Sequence, residues 1–197
     1  MALRTTVKIS VNNLSDARYA AGMGVNMIGF CLDRNSPDYV DTQKFSAIAQ
    51  WITGVELVGE IINTTADWQN YALDALQVND WQLIDQIQTD LPLILSLDID
   101  KYTDVSLLAT ILQKYAVRVK YFIFESNTTA HDKTEWLQKV GSQYPILLGV
   151  AINESNLEEI LALNTAGISL KGGNEISAGL KDFDELSEVL ELLEEEN

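Results

Sequence analysis

The chain has 197 residues, 47% of them hydrophobic, and a formal net charge of −16. The apolar content excludes a disordered chain, and the length suffices for one domain with a sizeable core. The negative charge repels nucleic acid and anionic membrane, so neither is expected as a partner.

The chain opens on an apolar strand over Val7–Ser10, a polar loop, and a helix over Leu14–Met23. A strand over Asn26–Phe30 precedes a helix over Thr42–Trp51, and a strand over Val55–Ile62 precedes one over Ala66–Leu73. The strand Ala75–Val78 is followed by a shorter helix, Trp81–Gln88. Three more units pair Leu91–Leu97 with Asp104–Tyr115, Lys120–Phe124 with Lys133–Val140, and Pro145–Val150 with Ser155–Leu163. The last joins Gly167–Leu170 to Asp182–Leu193. Ser15, Asp41 and Asn153 are the expected helix caps. The acidic run Glu188–Asn197 is expected to be a solvated final helix, with a tail fraying from about residue 194.

The strand runs are nearly continuously apolar, as in parallel strands buried on both faces. Eight strand-then-helix units predict an α/β protein, a compact single-domain (β/α)8 barrel over residues 1–197. A doubly wound open sheet is the alternative.

Cys31 is the only cysteine, so no internal disulfide or Cys-rich metal motif forms, and a reducing compartment fits. His131 is the only histidine, which excludes a His-rich metal site. The start, MALRTTVKIS, lacks an apolar segment of signal length, and no apolar run approaches the ~20 residues of a membrane span. The expectation is a cytoplasmic protein.

Active sites of such barrels lie at the carboxyl ends of the strands. The residues selected by that rule are Ser10, Cys31 to Tyr39, Asn63, Asn79, Asp98, Glu125, Gly149–Ala151 and Lys171–Asn174. Cys31 could replace a missing base or simply be a small buried hydrophobe. Asp98, Glu60 and Glu125 could form a carboxylate cluster for a divalent cation, although no metal site is expected. Glu125 could instead pair with Lys8 or Lys171, and His131 reads as an exposed loop residue.

Several strand ends resemble those of the phosphoribosylanthranilate isomerase family. The family's Val-Lys-Ile-Cys-Gly opening appears as Val7-Lys8-Ile9-Ser10-Val11, followed by Ser15-Asp16-Ala17-Arg18. Gly24-Val25-Asn26-Met27-Ile28-Gly29-Phe30 matches its second strand, and Ser36-Pro37-Asp38-Tyr39-Val40 its Ser-Pro-Arg-Tyr-Val loop. Val58-Gly59-Glu60-Ile61-Ile62-Asn63 stands for Val-Gly-Val-Phe-Val-Asn, and Leu76-Gln77-Val78-Asn79 for Val-Gln-Leu-His. Gly172-Gly173-Asn174-Glu175 and Ala178-Gly179-Leu180-Lys181-Asp182 echo the family's closing segment. The echoes keep their order over nearly the whole chain.

The resemblance implies a barrel that acts in tryptophan biosynthesis, opening an aminoaldose ring and moving a proton from C2 to C1, without a cofactor. That chemistry needs a general base and a general acid. The family's base is the cysteine, replaced here by Ser10, whose hydroxyl needs an adjacent base to be activated. Its acid is an aspartate, replaced by Glu125, which is one methylene longer. Its carboxylate-binding arginine is Asp38, its strand-4 histidine is Asn79, and its Gly-rich loop after strand 6 is Asn127–Asp132. The phosphate loops are expected at Gly149, Val150 and Ala151 and at Lys171, Gly172, Gly173 and Asn174, with Val150 in place of a glycine.

The favoured expectation is therefore an eroded active site, a pseudoenzyme, with a partly retained sugar-phosphate pocket. The alternatives are a working isomerase using Ser10 and Glu125, and a non-catalytic barrel that binds a protein partner.

Overall fold

Val, Ile, Leu and Phe dominate the runs that pair into strands, the residue types that pack well on a pleated surface. The computed structural model describes residues 2–102, 104–129, 133–172, 175–177, 180–181 and 184–194. Its strands are β1 (Thr6–Ser10), β2 (Met27–Cys31), β3 (Glu56–Ile61), β4 (Ala75–Val78), β5 (Leu93–Asp98), β6 (Val119–Glu125), β7 (Ile146–Gly149) and β8 (Gly167–Lys171). Each is parallel to its neighbours in chain order, and β8 returns to β1, so the sheet closes into a barrel. A small antiparallel pair, β9 (Glu175–Ser177) and β10 (Leu180–Lys181), follows.

The helices are α1 (Leu14–Gly22), α2 (Thr42–Ala49), α3 (Val105–Tyr115), α4 (Thr134–Gly141), α5 (Leu157–Leu161) and α6 (Asp184–Leu192). They pack an apolar stripe against the outer faces of the strands. On α3 the stripe is Leu108, Ile111, Leu112 and Tyr115, all buried at helical spacing. On α6, Leu186, Val189 and Leu190 are buried, while Glu188 and Glu191 face solvent. The chain ends meet here, because Leu3 bridges Glu194 and the Arg4 N–H donates to the Leu193 carbonyl. Among the described residues no helix is long and apolar enough to cross a membrane.

The third and fourth units depart from the expected helices. Ala66–Leu73 contains only a 3-10 turn, Trp68–Asn70. The Asp67 side chain makes no cap hydrogen bond there and pairs instead with Arg34. Trp81–Gln88 becomes a 3-10 helix over Trp81–Gln86, with Asp80 accepting from the Gln82 N–H. It ends because the backbone turns extended at Ile87, whose N–H donates to the Leu83 carbonyl. Two caps also move. Asn13, not Ser15, caps α1 by accepting from the Asp16 N–H. Asn153 closes a turn on Ser155, so α5 begins only at Leu157. Asp41 caps α2 as expected.

Alternation along the strands sends every second side chain into the barrel. Met27, Val58, Ala75, Ile94, Ile123 and Leu147 form the apolar floor, with Tyr121 against it. The register stacks Lys8 at the level of Val58, Ile94 and Leu147. Above come Gly29 and Gln77, then Ser10, Glu60, Ser96 and Gly149, then a rim of Cys31, Asn79, Glu125 and Lys171. The lumen thus turns from apolar to polar towards the carboxyl ends of the strands, where a barrel builds its sites.

Candidate active site

Lys8 is 1% exposed, and a buried ammonium needs a counter-charge. Glu60 supplies it from β3, with its Oε1 2.6 Å from Lys8 Nζ. Ser10 completes the cluster. Its hydroxyl donates to Glu60 Oε1 at 2.5 Å and accepts from Lys8 Nζ at 2.9 Å. Gly29 makes the space. A Cβ there would lie 1.9 Å from Glu60 Oε1 and 2.8 Å from Lys8 Nζ.

A second cluster lies towards β6. Ser96 donates to Glu125 Oε1 at 2.8 Å, and Lys171 Nζ lies 3.3 Å from Glu125 Oε2. This pair is open to water, with side-chain exposures of 79% for Lys171 and 31% for Glu125, so it contributes little stability. Of the two partners expected for Glu125, Lys171 is present and Lys8 is committed to Glu60.

The remaining strand-end residues are also engaged. Asp38 is exposed, and Asn12 donates to its Oδ1 at 2.7 Å, tying the loops after β1 and β2 together. Asn79 accepts from Gln77 Nε2 at 2.9 Å, whereas Gln77 Oε1 is buried without a partner among the described residues. Cys31 is partly exposed at the rim as the last residue of β2. Val150 is buried in the core. The Ala151 N–H donates to the Thr128 carbonyl at 3.2 Å, and the Gly172 N–H to the Ser10 carbonyl at 2.8 Å. A Cβ on Gly172 would lie 3.1 Å from Asp16 Oδ2, so a carboxylate stands beside the loop expected to hold phosphate. Gly173, Asn174 and His131 lie outside the described residues. Among the described residues no three His, Cys, Asp or Glu side chains could hold a metal ion.

The loop after β6 is pinned. Asp100 accepts from the Asn127 N–H at 3.0 Å and from Ser126 Oγ at 2.8 Å. These bonds, the Asn127 one first, hold the Asp100 carboxyl below its ordinary range. A depressed carboxylate contributes above its unfolded pKa, and the contribution is lost as pH falls through the folded value. The Asn127 amide resonance is therefore expected to keep its bonded shift to a lower pH than an ordinary aspartate would allow, and to lose it only as the depressed carboxylate takes up its proton. Asp100→Ala should remove that shift at every pH, as NMR titration would read.

Sequence reasoning missed the partners of Ser10. The signal was parity: Lys8 and Ser10 on β1 and Glu60 on β3 share the inward register, and a charge there must find its opposite.

A closed parallel barrel with polar residues gathered at the strand ends defines a (β/α)8 protein with its candidate site in the barrel mouth. No family model matches the chain. In sequence it is similar to the N-(5'-phosphoribosyl)anthranilate isomerase of Parabacteroides distasonis, 26% identical over 88% of this chain and 86% of that protein. In fold it is similar to the phosphoribosylanthranilate isomerase of Thermotoga maritima, with a TM-score of 0.76, 18% identity, and coverage of 95% of this chain and 97% of that one. A phosphoribosylanthranilate isomerase in complex with reduced 1-(o-carboxyphenylamino)-1-deoxyribulose 5-phosphate superposes equally well, at a TM-score of 0.76 with 18% identity and the same coverage. Thiamine phosphate pyrophosphorylase of Pyrococcus furiosus follows at 0.62 and 15% identity, covering 96% of this chain and 97% of that one. The solved structures share the (β/α)8 fold of this chain, and the likeness in sequence is to a phosphoribosylanthranilate isomerase at 26% identity.

Proposed function

We propose that the chain is a phosphoribosylanthranilate isomerase-like barrel whose active site has been rewired and no longer isomerises phosphoribosylanthranilate efficiently. The observation that carries this reading is the state of Ser10. Where the family has a thiol, this chain has a hydroxyl held between Lys8 and Glu60. Asp38 supports it too, since a carboxylate on the rim repels the substrate's own carboxylate where the family has an arginine. A partly retained sugar-phosphate pocket at Gly149–Ala151 and Lys171–Asn174 belongs to the same reading. The Lys171 charge favours it, and Asp16 works against it. No cofactor enters the reaction class, and the lone cysteine fits a cytoplasmic setting.

The test is the loss of fluorescence of freshly made phosphoribosylanthranilate. At catalytic enzyme concentrations the wild type is expected to match the uncatalysed rate. Turnover by Ser10→Cys would mean that the pocket persists and the thiol is the main loss. Fast wild-type turnover that Ser10→Ala abolishes would overturn the reading and make Ser10 a catalyst.

A further inference from the structure

We infer that the proton acceptor of this barrel has moved from β1 to β3, and that Glu60 is the base of whatever slow isomerisation the site still performs. The inference rests on the isomerase-like reading above and goes beyond it by naming the group.

Three observations carry it. First, position 10 is where the family places its base, and Glu60 Oε1 lies 2.5 Å from the atom that replaces the sulfur. A carboxylate oxygen therefore stands within one hydrogen bond of the point from which a thiolate would act. Second, the hydroxyl itself is turned the wrong way to accept a substrate proton. It donates its proton to Glu60 and accepts from Lys8. The anionic atom of the cluster belongs to Glu60. Third, the room for this carboxylate is specific. Gly29 has no side chain where a single Cβ would overlap Glu60 Oε1 at 1.9 Å. Glu60 keeps 15% side-chain exposure while its partner Lys8 keeps 1%, so the carboxylate is the member of the pair that faces the mouth.

The step balances without a co-reactant. Glu125 gives a proton to the ring oxygen, and the ring opens to an iminium. Glu60 takes the proton from C2, and the C2–H electron pair becomes the C1–C2 double bond as the iminium nitrogen regains its lone pair. The C2 hydroxyl then returns its proton to Glu125, its oxygen becoming the ketone, while Glu60 protonates C1. Both carboxyl groups end as they began. Lys8, beside the carboxylate, keeps Glu60 in place between cycles.

The experiment is a single-turnover assay with phosphoribosylanthranilate and enzyme in excess, read by fluorescence loss. The wild type is expected to convert substrate faster than buffer alone. Glu60→Gln should lower that rate by at least about 100-fold, the usual share of a general base. Ser10→Ala should lower it by no more than about tenfold. Glu60→Asp keeps the charge that Lys8 needs and withdraws the carboxylate by one methylene, so it should fold and still be slow. The pH profile is the second readout. Ser10→Cys should show an alkaline limb in the thiol range, about pH 8.5, that the wild type lacks. No conversion by excess wild type would overturn the inference and leave the rewired-site reading standing. Conversion that survives Glu60→Gln and vanishes in Ser10→Ala would overturn it too, and rapid multiple turnover of that kind would overturn both.

Discussion

Gly167→Ala is expected to open the barrel at its seam. Gly167 is the first residue of β8 and pairs with Thr6 of β1, the contact that closes the sheet. A Cβ at Gly167 would sit 1.9 Å from the Thr6 carbonyl oxygen and 2.7 Å from its carbonyl carbon. Those atoms are backbone and cannot rotate away, so β1 and β8 must separate. Separation loses ladder hydrogen bonds from Thr6–Gly167 through Ser10–Lys171 and exposes Val7 and Ile168, both buried. Overpacking alone costs about 1–3 kcal/mol, and the lost ladder should bring the total above about 3 kcal/mol. Urea unfolding would read it as a lower midpoint. The same change at Gly22, where nothing lies within 4 Å of the added carbon, is the control. A Gly167→Ala protein as stable as wild type would mean that the seam yields without loss.

Glu60→Gln should be the second costly change, this time through charge. It leaves Lys8, 1% exposed, without its counter-ion. Removing one partner of a buried ion pair costs about 3–5 kcal/mol, because the other charge stays desolvated. For a chain of this length that is roughly 10 °C in melting temperature. Lys8→Met combined with Glu60→Gln removes the stranded charge and should recover most of the loss. The double-mutant cycle therefore gives a large coupling energy. Additive losses would show that the two side chains act independently, and that the lumen tolerates a lone ammonium.

The barrel was legible in the sequence because its units repeat one physical pattern. Short apolar runs such as Phe122–Phe124 and Leu147–Leu148 can be satisfied only by burial, and α3 carries its apolar stripe at helical spacing. The missing helices after β3 and β4 were harder to foresee. Ala66–Leu73 and Trp81–Gln88 have helical composition, but the backbone turns extended at Tyr71 and Ile87, and Asp67 is held by Arg34 from another loop, which is a tertiary fact. The site was half legible. Ser10, Glu125 and Asp38 stood out by comparison with a family pattern, and the structure places all three at the mouth. The Lys8–Glu60 pair joins residues 52 apart, so periodicity within either strand could not reveal it. Only closure and register bring β1 and β3 to a common level.

The uneven wrapping of the barrel has a consequence for how the fold could change. Between the end of α2 at Ala49 and the start of α3 at Val105, β3, β4 and β5 are joined by 3-10 turns, with no α-helix among the described residues. The ladder there is as continuous as elsewhere, with β3 paired to β4 and β4 to β5. Closure therefore does not require a helix behind every strand. The covering layer on this side is the negotiable part of the architecture. Doubling the length of a flexible connection costs only about 0.6 kcal/mol in closure entropy. This flank is accordingly the place where the barrel could accept an inserted segment, on the far side of the wall from the β8–β1 seam.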